Sequence, residues 1–299
     1  MAGRSVRDYK RRIRSVNNTK QITKAMKMVS AAKLRRAQER AESSRPYTSK
    51  LQEVLARLVT MTTEAKHPLL ERRDPVKKVT YVVITADRGL CGAFNANIIR
   101  KTVITINEEA RPVEVSLVTV GRKARDFFRK RNYNVVGDFV NLGDRLSYSQ
   151  AKEIGQFIAN LYEEGATDEV YLVYSRFINA LRQAPTVEKL LPVEPPAEVK
   201  AEAEELAKYT PDYIYEPSVD EIVVSLLPRY MENQIYHALL ETKASEHGAR
   251  MTAMSNATDN ASELIDKLTL EMNKVRQASI TKEILEISAG AEALKKGGK

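Results

Sequence analysis

The chain has 299 residues, enough for one large domain or two modest ones around a substantial apolar core. Its 43% hydrophobic and 29% charged residues are typical of a folded protein and exclude a disordered chain. The single cysteine, Cys91, excludes a disulfide framework and a cysteine-based metal cluster, and it favours a reducing compartment. No apolar run approaches the roughly 18–20 residues that a membrane-spanning helix needs, so an integral membrane protein is excluded.

The excess positive charge lies at the N-terminal end. Residues 1–60 carry sixteen Lys and Arg against four Asp and Glu, whereas residues 219–299 carry ten basic and twelve acidic side chains. The first segment is therefore +12 in a chain whose net charge is +9. Such a field favours an anionic partner, and composition leaves nucleic acid, lipid headgroups and an acidic protein surface all open.

Residues 3–60 are predicted to form one helix, since good helix formers predominate and the segment holds one proline and one glycine. At about 1.5 Å per residue it would be roughly 85 Å long, too long for a globular domain. Apolar residues recur at spacings of three and four, in two groups separated by a one-residue shift of phase. The first group is Val6, Tyr9, Ile13 and Val16, and the second is Ile22, Ala25, Met26, Val29 and Ala32.

Residues 218–294 are predicted to form a second, longer helix of about 110 Å. Ser218 is a suitable N-cap, with Asp220 and Glu221 in the first turn. The middle of this helix is rich in small residues, which allow a partner helix to approach closely: Ala244, Ser245, Gly248, Ala249, Ala253, Ser255 and Ala257. Two long amphipathic helices at the two chain ends most simply pair with each other, so we predict an antiparallel two-helix stalk.

The middle of the chain alternates short strands with helices, which indicates an α/β domain with a mostly parallel sheet. The predicted strands are Lys78–Thr85, Val113–Val120 and Glu169–Ser175, with Thr186–Leu191 antiparallel to the last of them. The predicted helices are Asn95–Ala110, Arg122–Arg131 and Ser149–Glu164. Residues 194–216 hold seven acids against two lysines and are expected to form an exposed connector. The predicted organisation is a helix at 1–60, an α/β domain with its acidic connector at 61–217, and a helix at 218–299.

Candidate sites for chemistry are weak. The segment Asp87–Gly92 follows a strand and precedes a helix, where phosphate-binding loops occur, but it lacks a Walker or GxGxxG pattern, so a structural turn is the favoured interpretation. His67, His237 and His247 have no metal-ligand spacing, and Cys91 has no motif-placed base. We expect no catalytic residue, cofactor or metal, and we favour a mechanical or scaffolding role.

Four blocks of the sequence resemble the γ subunit family of F-type ATP synthases: Arg12–Gln38, Asp87–Asn95, Ser245–Ala261 and Arg276–Leu294. The last block carries that family's signature in Ile280-Thr281, Glu283, Glu286 and Gly290-Ala291. The resemblance covers the whole chain in order.

The resemblance implies the central rotor shaft, an antiparallel coiled coil of the two terminal helices with a Rossmann-like α/β domain between them. The shaft would couple proton-driven rotation of the membrane ring to successive conformations of the catalytic β subunits, without itself catalysing a reaction. The implied partners are the α and β subunits, the ε subunit and the membrane c-subunit ring, with one copy of this chain per complex and no nucleic acid or direct small-molecule substrate. The implied location is peripheral, on the cytoplasmic face of the cell membrane, and the lack of a transit peptide favours a bacterial over an organellar origin.

The resemblance also assigns residues. The β-subunit contacts would be Lys24, Met26, Lys27, Arg250, Arg276, Gln277, Thr281, Glu283 and Glu286. Ile284, Ile287 and Leu294 would sit in an apolar bearing at the top of the ring. Two positions depart from the family pattern: Ala86 replaces an expected serine, and Lys27 places a cation where relatives often carry an acid. The alternative function is a basic coiled-coil protein that binds nucleic acid, against which stands the scarcity of aromatic residues for base stacking in the basic helix.

Overall fold

The computed structural model describes residues 5–61, 67–109, 111–194 and 218–297, and for residues 59–61 and 292–297 it describes the backbone alone. The helices are α1 Val6–Met61, α2 Phe94–Glu108, α3 Arg122–Arg129, α4 Tyr148–Glu163 and α5 Val219–Gly297, and Pro68–Leu70 form a 3₁₀ turn. The strands are β1 Lys78–Ile84, β2 Glu114–Val120, β3 Val135–Phe139, β4 Glu169–Phe177 and β5 Gln183–Leu191. The predicted acidic connector lies almost wholly outside the described residues.

Both long helices are confirmed. The Ser218 hydroxyl accepts a hydrogen bond from the backbone N–H of Glu221 at 3.3 Å, which is the predicted N-cap of α5. Asp220 and Glu221 lie in its first turn, where carboxylates are favourable beside the positive end of the helix dipole.

The strands form a sheet in the order β3-β2-β1-β4-β5. β1 pairs in parallel with both β2 and β4, β2 pairs in parallel with β3, and β5 runs antiparallel to β4. The predicted strands and the antiparallel hairpin are confirmed. β3 was not predicted, because its sequence VVGDF is short and contains a glycine and an aspartate, residues that are rare in strands.

Alternate residues of β1 face two separate cores. Val79, Tyr81 and Val83 pack in one cluster with side chains of α2 and α3. Val82 and Ile84 pack in the other cluster with α4, with the second half of α1 and with the beginning of α5. The parallel sheet is thus covered on both faces, as a Rossmann-like α/β domain requires. In the second core the long helices contribute fully buried side chains such as Leu55, Leu58, Val223, Leu227 and Ile235. Each such side chain contributes about 2 kcal/mol from apolar burial.

The chain divides into two compact units, one of residues 1–29 with 253–299 and one of residues 30–252. In the first unit the Thr23 and Thr258 hydroxyls lie 2.8 Å apart, and the Lys27 ammonium donates to the Ser255 hydroxyl at 2.9 Å. The partner number falls as the α1 number rises, so α1 and α5 are antiparallel in this unit, which confirms the predicted stalk. The three-part division predicted from the sequence stays a prediction.

The second apolar group predicted on α1 is wrong as a buried stripe. Ile22 is 60% exposed and Val29 is 54% exposed, and Ala25 and Ala32 are exposed as well. The residues that are buried continue the register of Ile13 and Val16 at spacings of three, four and seven: Thr23, Ser30, Leu34, Ala37 and Ala41. No shift of phase occurs. Apolar periodicity missed the true face because threonine and serine occupy it at two successive positions.

The small residues of α5 have two uses in the second unit. Ala244 packs with Leu34 and Ala37 of α1, as close helix pairing requires. The Ser245 hydroxyl instead donates to the backbone oxygen of Ser175 in β4 at 3.0 Å. A Cβ on Gly248 would meet the backbone oxygen of Ala180 at 3.4 Å, so this face also receives the β4–β5 hairpin.

Candidate functional surface of the two long helices

The predicted contact residues on α1 belong to the first compact unit of the chain, which contains residues 1–29. The side chains of Lys24 and Lys27 are exposed, and Met26 is half-buried. Lys27 is held by its hydrogen bond to Ser255 on α5. Beside them lie Ile22 and Val29, and also Met28, which is 60% exposed. This part of α1 therefore shows solvent a mixed cationic and apolar surface.

The predicted contact residues near the end of α5 lie together on one stretch of helix. Every residue from 276 to 291 is exposed, which includes Arg276, Gln277, Thr281, Glu283 and Glu286. Their described contacts are local: the Thr281 hydroxyl donates to the backbone oxygen of Gln277, and Lys282 pairs with Glu286 at 3.5 Å with both side chains more than half exposed. No described residue of the chain packs over this stretch.

The predicted bearing residues occupy the same exposed stretch. Ile284 is 56% exposed and Ile287 is 73% exposed, with Ile280 at 47% one turn before them. Spacings of four and three place the three isoleucines on one face of the helix. The side chain of Leu294 lies outside the described residues. An apolar face of this kind is costly in water, and exposed apolar faces are common at protein–protein contacts.

Arg250 differs from the other predicted contacts because its side chain is buried. Its Nη2 lies 2.8 Å from Glu246 Oε1, and it also donates to the backbone oxygen of Gly89 at 3.3 Å. The side chains of Arg250 and Glu246 are 10% and 6% exposed. Its role as a β-subunit contact stays a prediction, and the structure gives it an internal bond as well.

The segment Asp87–Gly92 is a turn held from within the chain. The Asp87 carboxylate accepts from the backbone N–H groups of Arg122 and Asn141 at 3.0 and 3.1 Å, so it caps the beginning of α3. Leu90 and Gly92 both adopt positive φ. Cys91 is buried, and burial raises the pKa of its thiol, which favours the unreactive protonated form.

A basic groove of about 530 Å³ was not predicted. It lies in the second unit, over Ala37, Leu146 and Leu240, and its cations are Lys33, Arg36, Arg40, Arg145 and Lys243. Within the described ranges, Arg36, Arg40 and Arg145 make no ion pair. The positive charge of α1 was evident from the sequence. The fold brings Arg145 and Lys243, which lie outside α1, next to the α1 cations.

Among the described residues, no group of His, Cys, Asp and Glu could hold a metal ion. No helix in the described ranges is both long and apolar enough to cross a bilayer.

Comparison with known proteins identifies the family. A family model described as ATP synthase matches residues 5–294. An ATP synthase gamma chain from Pelotomaculum thermopropionicum is 56% identical over 97% of this chain and 99% of its own length. One from Moorella thermoacetica is 54% identical with the same coverage.

Solved structures give the same fold. The central stalk and c-ring structure of Tetrahymena thermophila mitochondrial ATP synthase contains a chain of 26% identity and TM-score 0.59, over 79% of this chain and 99% of that one. A chain of the Euglena gracilis mitochondrial ATP synthase has a TM-score of 0.68 over 98% of this chain and 96% of that one, and at 21% identity it supports the fold alone. On the strength of the family model and of curated relatives that match nearly end to end, this chain belongs to the ATP synthase γ chain family.

Proposed function

We propose that this chain is the central rotor shaft of an F-type ATP synthase. It couples proton-driven rotation of the membrane ring to successive conformations of the catalytic β subunits, and in reverse it is turned by ATP hydrolysis. The chain itself carries no catalytic residue in this account. Its membership of the γ chain family supports the proposal.

The observation that carries the proposal is the uncovered end of α5. Residues 276–291 form four turns of helix, all exposed, with isoleucines aligned on one face. An isolated helix of this length is marginal in water unless other groups pack against it. A sleeve formed by surrounding subunits supplies that packing. In this role Ile284, Ile287 and Leu294 form the bearing, and the polar residues beside them contact β.

The exposed surface of α1 supports a second contact region. Ile22, Met28 and Val29 remain more than half exposed, next to the predicted contacts Lys24, Met26 and Lys27. Acidic loops of β would bind these cations and cover the apolar side chains. Arg36, Arg40 and Arg145 in the basic groove would also bind carboxylates of a partner, because a guanidinium can bind a carboxylate in bidentate fashion.

The mechanism is differential binding. Two helices cannot present the same surface to three surrounding β subunits, so each angle of the shaft stabilises a different set of β conformations. Rotation changes nucleotide affinity only by as much as the contact free energies differ between those conformations. Exposed ion pairs contribute little to such differences, so desolvated contacts at the sleeve carry most of the coupling.

The remaining partners are those of a shaft: α subunits in the sleeve, and the ε subunit and c-subunit ring at its foot. The complex holds one copy of this chain on the cytoplasmic face of the membrane, attached through its partners.

Co-expression with the α and β subunits of the same organism tests the proposal. The mass of the purified complex and its ATPase activity are measured with and without this chain. We expect a stable complex with a single copy and turnover that depends on it. A chain that purifies apart from α and β would refute the shaft, and binding of duplex or single-stranded DNA would then be tested.

A further inference from the structure

Buried charges gather where α5 passes the loop between β1 and α2. The Glu246 carboxylate accepts from Lys243 Nζ at 2.9 Å and from Arg250 Nη2 at 2.8 Å. Arg250 in turn donates from two of its nitrogens to the backbone oxygen of Gly89 in that loop, at 3.3 and 3.4 Å. Glu246 therefore fixes the cation that binds the loop backbone to the helix.

A second connection reaches α1. Lys33 of α1 donates to the Asp144 carboxylate at 2.7 Å, and Asp144 lies in the loop between β3 and α4. His247 of α5 lies beside the same carboxylate, with Nε2 3.6 Å from Oδ1. Both loops follow parallel strands, so they meet at the same edge of the sheet. We name this set of seven residues the collar: Lys33, Gly89, Asp144, Lys243, Glu246, His247 and Arg250.

The central bonds of the collar join charged groups, and their strength depends on geometry. Burial by itself raises the pKa of the Glu246 carboxyl, but Lys243 and Arg250 outweigh it and hold that pKa below its usual range. His247 stays neutral at pH 7, because burial lowers its pKa to about 4. Hydrogen bonds between ions lose strength steeply when they are bent or stretched, whereas apolar packing is non-directional. The collar therefore resists sliding and twisting of the long helices against the α/β domain more strongly than apolar packing alone would.

We propose that Glu246 is a positioning residue that locks the α/β domain to both long helices, so that torque passes between them without slip. This assignment rests on the proposed rotor function, in which torque enters through the foot of the shaft. The whole collar lies in the second unit, and its members Lys33 on α1 and Arg250 on α5 are close in sequence to that unit's boundaries at positions 30 and 252. Any slip at this level would lower the coupling of the motor without touching its catalytic sites.

The test uses the whole proton-translocating complex in vesicles, and measures proton pumping and ATP hydrolysis on the same preparation. Glu246→Gln keeps the shape of the side chain and removes its charge. Glu246→Asp keeps the charge and withdraws it by one methylene group. The matched control is Glu39→Gln, since Arg35 and Glu39 form an ion pair at the same spacing of four on a helix, 3.1 Å apart but with side chains 84% and 61% exposed.

We expect the ratio of pumping to hydrolysis to fall at least two-fold with Glu246→Gln and by less with Glu246→Asp, and to stay at the parent value with Glu39→Gln. Subunit content and unfolding temperature are followed in parallel. A lower unfolding temperature with an unchanged ratio would make Glu246 a structural residue and overturn the assignment. If Glu246→Gln does not assemble, Glu246→Asp decides: a ratio equal to the parent overturns the assignment.

The two proposals fail in different ways. A parent chain that never enters the complex refutes the rotor function. A parent complex that pumps normally beside a Glu246→Gln complex of unchanged ratio refutes the role of Glu246 alone.

Discussion

The hydroxyl oxygens of Thr23 and Thr258 lie 2.8 Å apart, at a point where two antiparallel helices are joined by polar side chains rather than by leucines. The Thr23 hydroxyl also donates to the backbone oxygen of Lys20, and the Thr258 hydroxyl lies 2.7 Å from the backbone oxygen of Met254. The buried face of α1 here relies on small side chains that satisfy their own hydroxyls. Close approach of the two helices follows from that choice.

The stability losses from replacing the two threonines of this pair should not be additive. We expect Thr23→Val and Thr258→Val each to lower the free energy of unfolding by about 1 kcal/mol, because each removes the hydrogen bond between the two helices while the remaining hydroxyl keeps only its bond within its own helix. The double variant should lose less than the sum of the two single losses, since all three variants lose the same bond between the helices. A double-mutant cycle by urea unfolding measures the coupling, and strictly additive effects would show that the hydroxyl contact contributes nothing.

Gly121, between β2 and α3, should tolerate no side chain. Its φ is +95°, and an added Cβ would lie 2.2 Å from the backbone oxygen of Thr85. We expect Gly121→Ala to lower the free energy of unfolding by roughly 3 kcal/mol or more through combined strain and overlap. Gly143→Ala is the matched control, because Gly143 has φ +78° with nothing within 4 Å of the added Cβ, so only the conformational cost of about 1 kcal/mol remains. Equal losses in thermal unfolding would contradict this explanation.

His247 should make the stability of the chain sensitive to mild acid. Its pKa is about 4 in the folded chain, since burial disfavours the charged ring, and about 6.5 in an unfolded chain. Between these values the unfolded chain binds more protons, so stability is present above pH 6.5 and falls as the pH is lowered towards 4, by up to about 3 kcal/mol.

Urea unfolding at several pH values measures that dependence. We expect His247→Asn to flatten the slope between pH 6.5 and 5, where the carboxylates with lowered pKa values, such as Glu246 and Asp168, do not yet titrate. An unchanged slope in this window would show that His247 does not carry the effect.

Arg276 and Gln277 should affect the activity of the complex but not the stability of the free chain. Both side chains are exposed, so Arg276→Glu with Gln277→Leu should leave the unfolding temperature of the free chain within about 1 °C. In the reconstituted complex the same change should impair coupled ATP turnover, because it reverses a charge at the proposed contact with β. Normal coupled turnover would remove these two residues from the contact surface.

Much of the fold follows from local sequence signals. The Ser218 cap, the strand KVTYVVI of β1 and the long runs of good helix formers were each sufficient to predict their elements. The buried face of α1 beyond Val16 was not predictable from apolar periodicity, because Thr23 and Ser30 are buried while Ile22 and Val29 are exposed. In the proposed function the β subunits cover those two exposed side chains, and periodicity within one chain does not distinguish such a surface from a buried one.

The candidate site was predictable only in part. The exposed end of α5 agrees with a contact role for Arg276 and its neighbours, although that role stays a prediction. The internal bonds of Arg250 depend on Glu246 and on the backbone of Gly89, which is more than 150 residues away along the chain. No local sequence pattern predicts a contact between residues so far apart in the chain, and the same is true of the contact between Lys33 and Asp144.

Observation of rotation tests the central claim most directly. The complex of this chain with its α and β subunits is fixed to a surface through β, and a bead is attached to the exposed face of α3 at Arg122, far from α5 residues 276–291 in sequence. We predict that ATP turns the bead in one direction with three pauses per turn, one for each β subunit. ATP hydrolysis at the full rate with a stationary bead would contradict the account.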